Sequence, residues 1–321
     1  MKFKDIINKI NLQFFSTTTD LQAAKAEVYA KELMERFVPK LQWYKYAKKV
    51  QMPKNGGDTI SIRTYNPITP KKTELTEGVA PTPSTFTNSK KSMKLKQYGD
   101  YVPITDLVDE TLIDDVALEL TGALGESGGI AIDELVRDTA LAGTNVFRAG
   151  GVATIAEITN KITYLDILKV AKTMKQNLVP KAKTEHGEGY VMFVSPSVAM
   201  DILLLPEYQS FNQYDKSDKL LDGCIGKLGG IYFIEIDNAG TVADGARTIH
   251  QSYCFGKDPY AVAEIDNHKT TGKPRIIRKG FNEGGATNPL EQIATIGWKA
   301  LFANMRLNEL SGLRYESLAT V

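Results

Sequence analysis

The chain has 321 residues, of which 42% are hydrophobic and 24% are charged, and its 39 basic and 38 acidic side chains give a net charge of +1. This is the composition of a globular protein, and it excludes a chain that is disordered throughout. A net charge near zero also argues against a protein whose main role is to grip nucleic-acid phosphates, because such proteins are usually strongly basic.

The charges are distributed unevenly along the chain. The first 104 residues hold 18 basic and 9 acidic side chains, an excess of +9, whereas residues 105–140 hold ten acids and the single base Arg137. A basic segment followed by an acidic one can neutralise itself within one chain or pair with the next copy of the chain. The sequence leaves both arrangements open.

Two helical segments are predicted before residue 40. Apolar residues between Ile6 and Phe14 lie at helical spacing, which indicates a short amphipathic segment that docks on a partner rather than a signal peptide. Residues 21–37 combine good helix formers with a periodic apolar face, and Pro39 ends this helix. No stretch of the chain is long and apolar enough to span a bilayer.

A long hairpin is predicted next. Thr59–Arg63 and the segment from Met93 to Ile104 alternate with period two, as strands do. Residues 66–92 between them contain five apolar residues against nine Ser or Thr, so they cannot bury a core of their own. We therefore interpret residues 58–104 as a protruding hairpin that needs a neighbour to order it.

A long acidic helix is predicted to begin at Thr105, where a capping residue precedes acids placed favourably against the helix dipole. Its apolar stripe continues from Leu107 to Leu124 and resumes at Ile130. The four glycines in between, at positions 122, 125, 128 and 129, indicate a bend or a close approach of another backbone. A loop that splits two helices is the alternative.

The following segment alternates between helix and strand, which predicts a separate α/β or α+β subdomain over residues 163–256. A late alternating segment should form a buried strand near the acidic helix. The predicted elements are a helix from Thr163 to Leu178, a strand Tyr190–Val194, a helix capped by Ser195, strands at 230–236 and 252–256, and the late strand Ala294–Phe302.

Residues able to carry chemistry form no recognisable active site. His186, His250 and His268 show no metal-binding spacing and are predicted to lie in solvated loops. Cys224 and Cys254 are predicted to be buried free thiols in a reducing compartment.

Three further patterns also have structural explanations. Gly226–Gly230 precedes a strand, so it is predicted to be a turn and not a phosphate-binding loop. Ser195 lacks the G-x-S-x-G context of a nucleophile and is explained by helix capping. The acidic pairs Asp114–Asp115 and Asp133–Glu134 are predicted to be solvated or to face a partner. We therefore predict no catalytic residue, no cofactor, no metal site and no enzymatic activity.

The order of these parts resembles the major capsid proteins of tailed phages, which share the Hong Kong 97 fold of the α+β class. The segments that carry the resemblance are Pro53–Gly57 with Ile60 and Arg63, Leu75–Gly78, Gln97–Tyr101 with Thr105–Asp106, and Ile296–Lys299. They are most similar to the branch typified by the capsid protein of coliphage N-four.

This resemblance implies five segments. They are an N-terminal arm at 1–57, an extended β-hairpin loop at 58–104, a peripheral domain with the long spine helix at 105–162, an axial domain at 163–256, and the returning strands of the peripheral domain with the C-terminal end at 257–321. In this fold the extended loop of one subunit lies across its neighbour, which implies pairing between subunits.

The subunit-interface residues follow from that arrangement. On the extended loop they are Arg63, Tyr65, Lys71, Lys72, Lys90, Lys91 and Lys94, and on the acidic helix of the next chain they are Asp109, Asp114, Asp115 and Glu119. Such pairs set register more than strength, because exposed ion pairs contribute only about 0.2–1 kcal/mol each.

The resemblance further implies hexamers and pentamers that close an icosahedral or prolate shell around double-stranded DNA, which is held without sequence-specific binding and without a membrane. The shell would belong to the virion and assemble in the host bacterial cytoplasm, with portal and head-completion proteins. Because the chain lacks a long N-terminal region able to act as an internal scaffold, we expect a separate scaffolding protein. An encapsulin-like nanocompartment shell and a soluble hydrolase using Ser195 or an acidic pair remain as alternatives.

Overall fold

The computed structural model describes residues 31–52, 57–65, 71–72, 74, 77–78, 80, 83–85, 88–111, 116–184, 187–209, 224–245, 247–265, 275–281 and 288–320. Several sequence predictions lie outside these residues, namely the amphipathic segment between Ile6 and Phe14, parts of the loop 66–92, the pair Asp114–Asp115, and His186 and His268.

Helices and strands are mixed along the chain, in agreement with the predicted α+β class. The helices are α1 (31–37), α2 (Gln42–Lys45), α3 (Asp106–Thr111), α4 (Val116–Leu141), α5 (Tyr164–Gln176), α6 (Pro196–Leu203) and α7 (206–209). The strands are β1 (Lys48–Met52), β2 (Thr59–Tyr65), β3 (Asn88–Lys94), β4 (Lys96–Thr105), β5 (Val146–Arg148), β6 (Ala182–Thr184), β7 (Gly187–Val194), β8 (Cys224–Leu228), β9 (Ile231–Glu235), β10 (Gly240–Asp244), β11 (Arg247–Phe255), β12 (Tyr260–Ile265), β13 (Arg275–Lys279), β14 (Ile293–Phe302), β15 (Asn304–Arg306) and β16 (Gly312–Ser317). Within the described residues, no helix is long and apolar enough to cross a membrane.

The chain divides into two compact units. The first comprises the described parts of Met1–Lys40, Gly99–Gly129 and Pro274–Lys299. It contains α1, the first half of α4 and a three-stranded sheet in the order β13-β14-β4. Strand β14 alternates as predicted, with Ala294, Ile296 and Trp298 buried, because successive side chains of a strand point to opposite faces.

The glycines of α4 allow close packing within this first unit. A Cβ on Gly125 would lie 2.6 Å from the carbonyl oxygen of Leu33, and one on Gly128 would lie 2.9 Å from the indole of Trp298. The helix nevertheless continues without a break from Val116 to Leu141. The close-approach interpretation is therefore confirmed, the alternative of a loop between two helices is wrong, and β14 packs on the acidic helix as predicted.

The second unit comprises Leu41–Tyr98, Ile130–Lys273 and Ala300–Val321. Its largest sheet has the order β5-β16-β11-β7-β9-β8, with β10 paired to β11 and β6 paired to β7. Apolar residues of α5 and α6, such as Ile167, Met174 and Ile202, pack on buried strand residues such as Met192 and Phe233. A smaller sheet in the order β1-β12-β15 belongs to the same unit.

Local capping determines where α5 and α6 begin. The Thr163 side chain accepts a hydrogen bond from the backbone N–H of Asp166 at 3.3 Å, and Ser195 Oγ accepts one from Val198 N–H at 3.4 Å. Both residues were predicted as N-caps, and Pro196 occupies the first turn of α6 as expected.

Several boundaries differ from the sequence prediction. The segment Met93–Ile104, predicted as one strand, is divided between β3 and β4, which belong to different sheets. The strand expected at 252–256 begins earlier, at Arg247, so His250 lies on β11 and is half-buried instead of lying in a solvated loop. Gly226–Leu228 belongs to β8, and only Gly229 and Gly230 form the predicted turn. Pairing with β9 extends β8 through Gly226, whose left-handed φ of 140° suits glycine.

Candidate subunit-interface surfaces

The base of the predicted hairpin is formed by β2 and β3, which pair antiparallel from Thr59 opposite Lys94 to Tyr65 opposite Asn88. Ile60 and Met93 face each other across this ladder and are 9% and 3% exposed. They belong to an apolar cluster with Ala263 of β12 and residues of β15, so the base is anchored on the body of its own chain.

Three lysines predicted to meet a neighbouring subunit have contacts within their own chain. Lys94 Nζ lies 3.3 Å from Asp58 Oδ2, and the hydrogen bond from Thr59, followed by the one from Lys94, lowers the pKa of Asp58. Lys91 Nζ donates to the carbonyl of Arg306 at 3.5 Å, and Lys71 Nζ donates to that of Pro83 at 3.1 Å. Of these contacts, only the Lys94–Asp58 ion pair compensates a charge, because a backbone carbonyl is neutral.

Arg63, Lys72 and Lys90 are exposed and form no ion pair within the described part of the chain. The side chain of Tyr65 lies outside the described residues. Arg63 and Lys90 occupy opposite positions of the β2–β3 ladder. The assignment of these loop residues to a subunit interface stays a prediction.

The acidic helix is partly neutralised by its own chain. Glu119 is exposed and lies 3.5 Å from Arg36 Nη2, and Glu126 lies 2.9 Å from Lys40 Nζ. The helix α4 therefore pairs with the basic segment that contains α1, which is the intrachain arrangement that the sequence left open. For Glu119, the predicted contact with a neighbouring subunit stays a prediction.

The remaining acidic charge lies on residues 106–115, beginning at α3. Within its described part, Glu110 is exposed, and Leu107 beside it is 69% exposed. Asp114 and Asp115 and the side chain of Asp109 lie outside the described residues. Within the described residues, Asp106 and Glu110 form no ion pair, and an exposed apolar residue beside such acids is typical of a surface that meets a partner.

The three-stranded sheet presents a second candidate surface. Strands β13 and β14 pair Ile277 with Gly297 and Arg275 with Lys299, so these residues share one face. A Cβ on Gly297 would lie 2.7 Å from Tyr101 Cβ of β4, which places Tyr101 beside this glycine. Sequence reasoning missed this face, because alternation identifies strands but not which strands are neighbours.

One acidic pair differs from its prediction. Asp133 is 0% exposed, not solvated, and its Oδ1 accepts a hydrogen bond from Tyr44 N–H at 3.1 Å. Its Oδ2 has no hydrogen-bond partner among the described residues, and burial raises the pKa of Asp133 to about 6. Glu134 stays partly exposed and lies 3.3 Å from Arg137 Nη1. The reason for the difference is that the segment at Tyr44, distant in sequence, covers Asp133 but not Glu134.

The side chain of Ser195 is accounted for by structure. It is buried, it caps α6, and its Oγ lies 2.9 Å from His250 Nδ1. Burial lowers the pKa of His250.

Cys254 is buried as predicted, and burial raises the pKa of its thiol, which makes it unreactive. Within the described residues, no group of His, Cys, Asp and Glu could hold a metal ion.

Comparisons with known proteins point in one direction. A family model described as "Phage capsid protein" matches residues 89–304. The capsid of Ralstonia phage GP4 is similar in structure, with a TM-score of 0.65 and 13% sequence identity over 87% of this chain and 91% of that chain. The capsid of Helicobacter pylori bacteriophage KHP30 is similar with a TM-score of 0.63 and 9% identity over 86% of this chain and 91% of that chain.

The capsid of cyanophage Pam1 is also similar, with a TM-score of 0.58 and 16% identity over 83% of this chain and 86% of that chain. No curated protein sequence matches the chain. At these identities the structural likeness establishes the fold, which is of the Hong Kong 97 type.

Proposed function

The chain belongs to the phage capsid protein family, and we infer from this membership that it is the major capsid protein of a phage, the subunit whose copies form the shell of the head. The family match, which covers two thirds of the chain and spans the acidic helix and most strands, is the observation that carries this conclusion. The predicted Hong Kong 97 fold supports it. A structural, non-enzymatic role follows.

We propose that the subunits assemble head to tail into hexamers and pentamers, since a heterologous contact that closes produces rings. The five segments inferred from the sequence would then have separate roles, with residues 163–256 at the capsomer centre and 58–104 reaching over a neighbour. The packing of Ile60 and Met93 supports the second role, because it fixes the hairpin base while leaving the loop to find its contacts elsewhere.

The charges support a particular contact between subunits. Arg63, Lys72 and Lys90 of the loop have no ion pair within the described residues, and the acids of residues 106–115 are not among those that Arg36 and Lys40 pair with. We propose that these loop cations meet Asp109, Asp114 and Asp115 of the next subunit. Each pair contributes only about 0.2–1 kcal/mol to the stability of the contact. These charges therefore determine the register of the loop on the neighbouring subunit and the association rate.

Further aspects of the proposal rest on the resemblance. We propose that the chain belongs to the branch typified by the coliphage N-four capsid protein, on the segments Pro53–Gly57, Gln97–Tyr101 and Ile296–Lys299. We also propose a separate scaffolding protein, a portal, assembly in the host cytoplasm, and double-stranded DNA held without sequence-specific contacts. A near-neutral net charge of +1 supports a shell that encloses DNA without binding its phosphates tightly.

Sedimentation velocity across a concentration series, with electron microscopy of the fastest fraction, tests the function. We expect rings or closed shells, formed by the chain alone or with its scaffolding protein. Lys90→Glu should raise the concentration needed for assembly, whereas the matched reversal Lys172→Glu, at an exposed position of α5, should not. Monomers under every condition, scaffold included, would contradict the proposal, and particles filled with an enzyme instead of DNA in infected cells would favour a nanocompartment.

A further inference from the structure

The chain leaves α5 through a turn in which a leucine takes the usual position of a glycine. The Val179 N–H donates to the Met174 carbonyl at 3.2 Å and the Leu178 N–H donates to the Lys175 carbonyl at 3.0 Å, which are the two hydrogen bonds of a Schellman motif. The residue at the position of Leu178 has a left-handed backbone in this motif, and Leu178 adopts it with a φ of 52°. This conformation costs free energy in leucine but not in glycine, so the turn itself does not explain why the residue is leucine.

The side chain of Leu178 is open, whereas the backbone that follows it is held in place. Leu178 is 88% exposed, the largest fraction among the large apolar side chains of the described residues. The Tyr190 hydroxyl donates to the Val179 carbonyl at 3.1 Å, and the Lys257 N–H donates to the Pro180 carbonyl at 2.9 Å. An exposed apolar side chain on a fixed backbone can enter a pocket without the entropy cost of ordering a loop.

A second residue with an unusual backbone lies at the same place. Asp258, which follows Lys257, has a φ of 51°, and it is with Leu178 one of three non-glycine residues with a left-handed φ in the described part of the chain. The hydrogen bond from Lys257 to Pro180 joins the two segments that carry them. Such conformations cluster at functional sites, so two of them together indicate that this surface has a role.

Positive charge accompanies the exposed leucine. Lys175, Lys181 and Lys257 are exposed and form no ion pair within the described residues, and Asp258 is already paired with Lys48 at 3.2 Å. We call these three lysines together with Leu178 the Leu178 surface. An apolar centre with a charged rim is the usual anatomy of a protein–protein interface, whereas a phosphate-binding surface needs no apolar centre.

We propose that the Leu178 surface is the docking site for an acidic protein, other than another copy of this chain, that takes up Leu178 in an apolar pocket and places carboxylates against the lysines. The proposal goes beyond the shell function, because the contacts proposed between copies do not involve this surface. Burial of Leu178 in the partner would offset the cost of its left-handed backbone, which the free chain bears without any gain in packing.

A second copy of the chain is the competing partner. Contact between two identical surfaces would bring lysines against lysines, which is unfavourable. Among the described acids without an ion pair, Asp106 and Glu110 lie beside the exposed Leu107, and they are the proposed complement of the loop cations. Other such acids, for example Glu207 and Glu291, stand singly and would leave most of the three lysines without a partner. A pocket with several acids around it therefore favours a different protein.

Photo-cross-linking during infection identifies the partner. Leu178 is replaced by benzoylphenylalanine, which reacts with the groups it touches, and Leu165, which is 59% exposed on α5, is the control position. We expect position 178 to link to an acidic segment of a different protein and position 165 not to form that link. Links only to another copy of the chain, links only to DNA, or no link at all would overturn the proposal.

Calorimetric titration of the dissociated chain with the linked protein, once purified, provides the energetic test, because a link by itself does not show recognition. Leu178→Gly removes the anchor but suits the left-handed turn, so we expect an unchanged or higher melting temperature and an affinity lower by about tenfold or more. Lys181→Glu should also weaken binding, most strongly at low salt, whereas Lys279→Glu on β13 should not.

Three results would overturn the proposal. Binding by Leu178→Gly as tight as that of the unmodified chain would show that the leucine is not the anchor, and a lower melting temperature would show that it packs in its own fold. Loss of assembly by a folded Leu178→Gly variant would show that a second copy occupies the surface, and would leave the proposed function intact. Failure of the unmodified chain to assemble would contradict the proposed function alone, since the titration does not need particles.

Discussion

Asp133 provides a sharp test of the packing around α4, because it is a buried carboxylate with one oxygen unpaired. Its Oδ1 accepts the Tyr44 N–H, and Asn238 lies close enough to lower its pKa in part, but burial is the dominant effect. The pKa is raised from 3.8 to about 6. The substitution Asp133→Asn keeps the shape and the acceptor oxygen and removes the ionisation.

The sign and size of the expected change in the free energy of unfolding follow from proton linkage. A carboxyl whose pKa is higher in the folded state binds more protons when folded, so its contribution to stability falls as the pH rises from about 4 to about 6. A shift of about two pKa units corresponds to ~3 kcal/mol in full, of which roughly 2 kcal/mol develops between pH 4 and pH 7. Relative to the wild type, the free energy of unfolding of Asp133→Asn should therefore increase by roughly 2 kcal/mol over this range.

Urea unfolding of the dissociated chain at several pH values measures this difference. The comparison between pH values removes any constant cost of fitting the amide beside Asn238. Glu134→Gln is the matched control, because it makes the same kind of change at the neighbouring, partly exposed position. If the free energy of unfolding of Asp133→Asn differed from that of the wild type by the same amount at pH 4 and at pH 7, Asp133 would be solvated, and the packing argument would be wrong.

Three further predictions follow from burial. Gly128→Ala should lower the stability by about 1–3 kcal/mol in thermal unfolding, although alanine normally favours a helix, because its Cβ would meet Trp298; an unchanged melting temperature would contradict the close approach. Glu316→Leu should cost about 3–5 kcal/mol in urea unfolding, because it leaves two arginines that pair with a fully buried carboxylate without their partner; a neutral effect would contradict this pairing. Ser195→Ala should cost about 1 kcal/mol in thermal unfolding through loss of the cap to Val198, and the variant should still form particles; loss of assembly in a folded variant would indicate a further role for Ser195.

Local features of the fold could be predicted from sequence because their causes are local. Thr163 and Ser195 cap N–H groups three residues further along, so the residues that start these helices are neighbours in the chain. The alternation of β14 is read in the same way, since a strand places every second side chain on the same face. The order of such elements was also enough to indicate the capsid family, which the family match confirms.

The environment of single charged residues could not be predicted in the same way. Asp133 is adjacent to Glu134 in sequence, yet one is fully buried and the other is partly exposed. Burial depends on which distant segment covers a helix face, and here Tyr44, 89 residues away, provides it. The partner of Glu119 is likewise 83 residues away, at Arg36.

The sequence by itself therefore determined the main helices, several of the strands, the order of these elements, the family and the uneven distribution of charge. Only the tertiary structure decided which charges remain available to another subunit. It pairs the basic segment around α1 with the first half of α4, and it brings β13, β14 and β4 together so that Arg275 and Lys299 share one face. The physical reason is that charge and polarity are properties of residues, whereas exposure and pairing are properties of the packing of segments far apart in the chain.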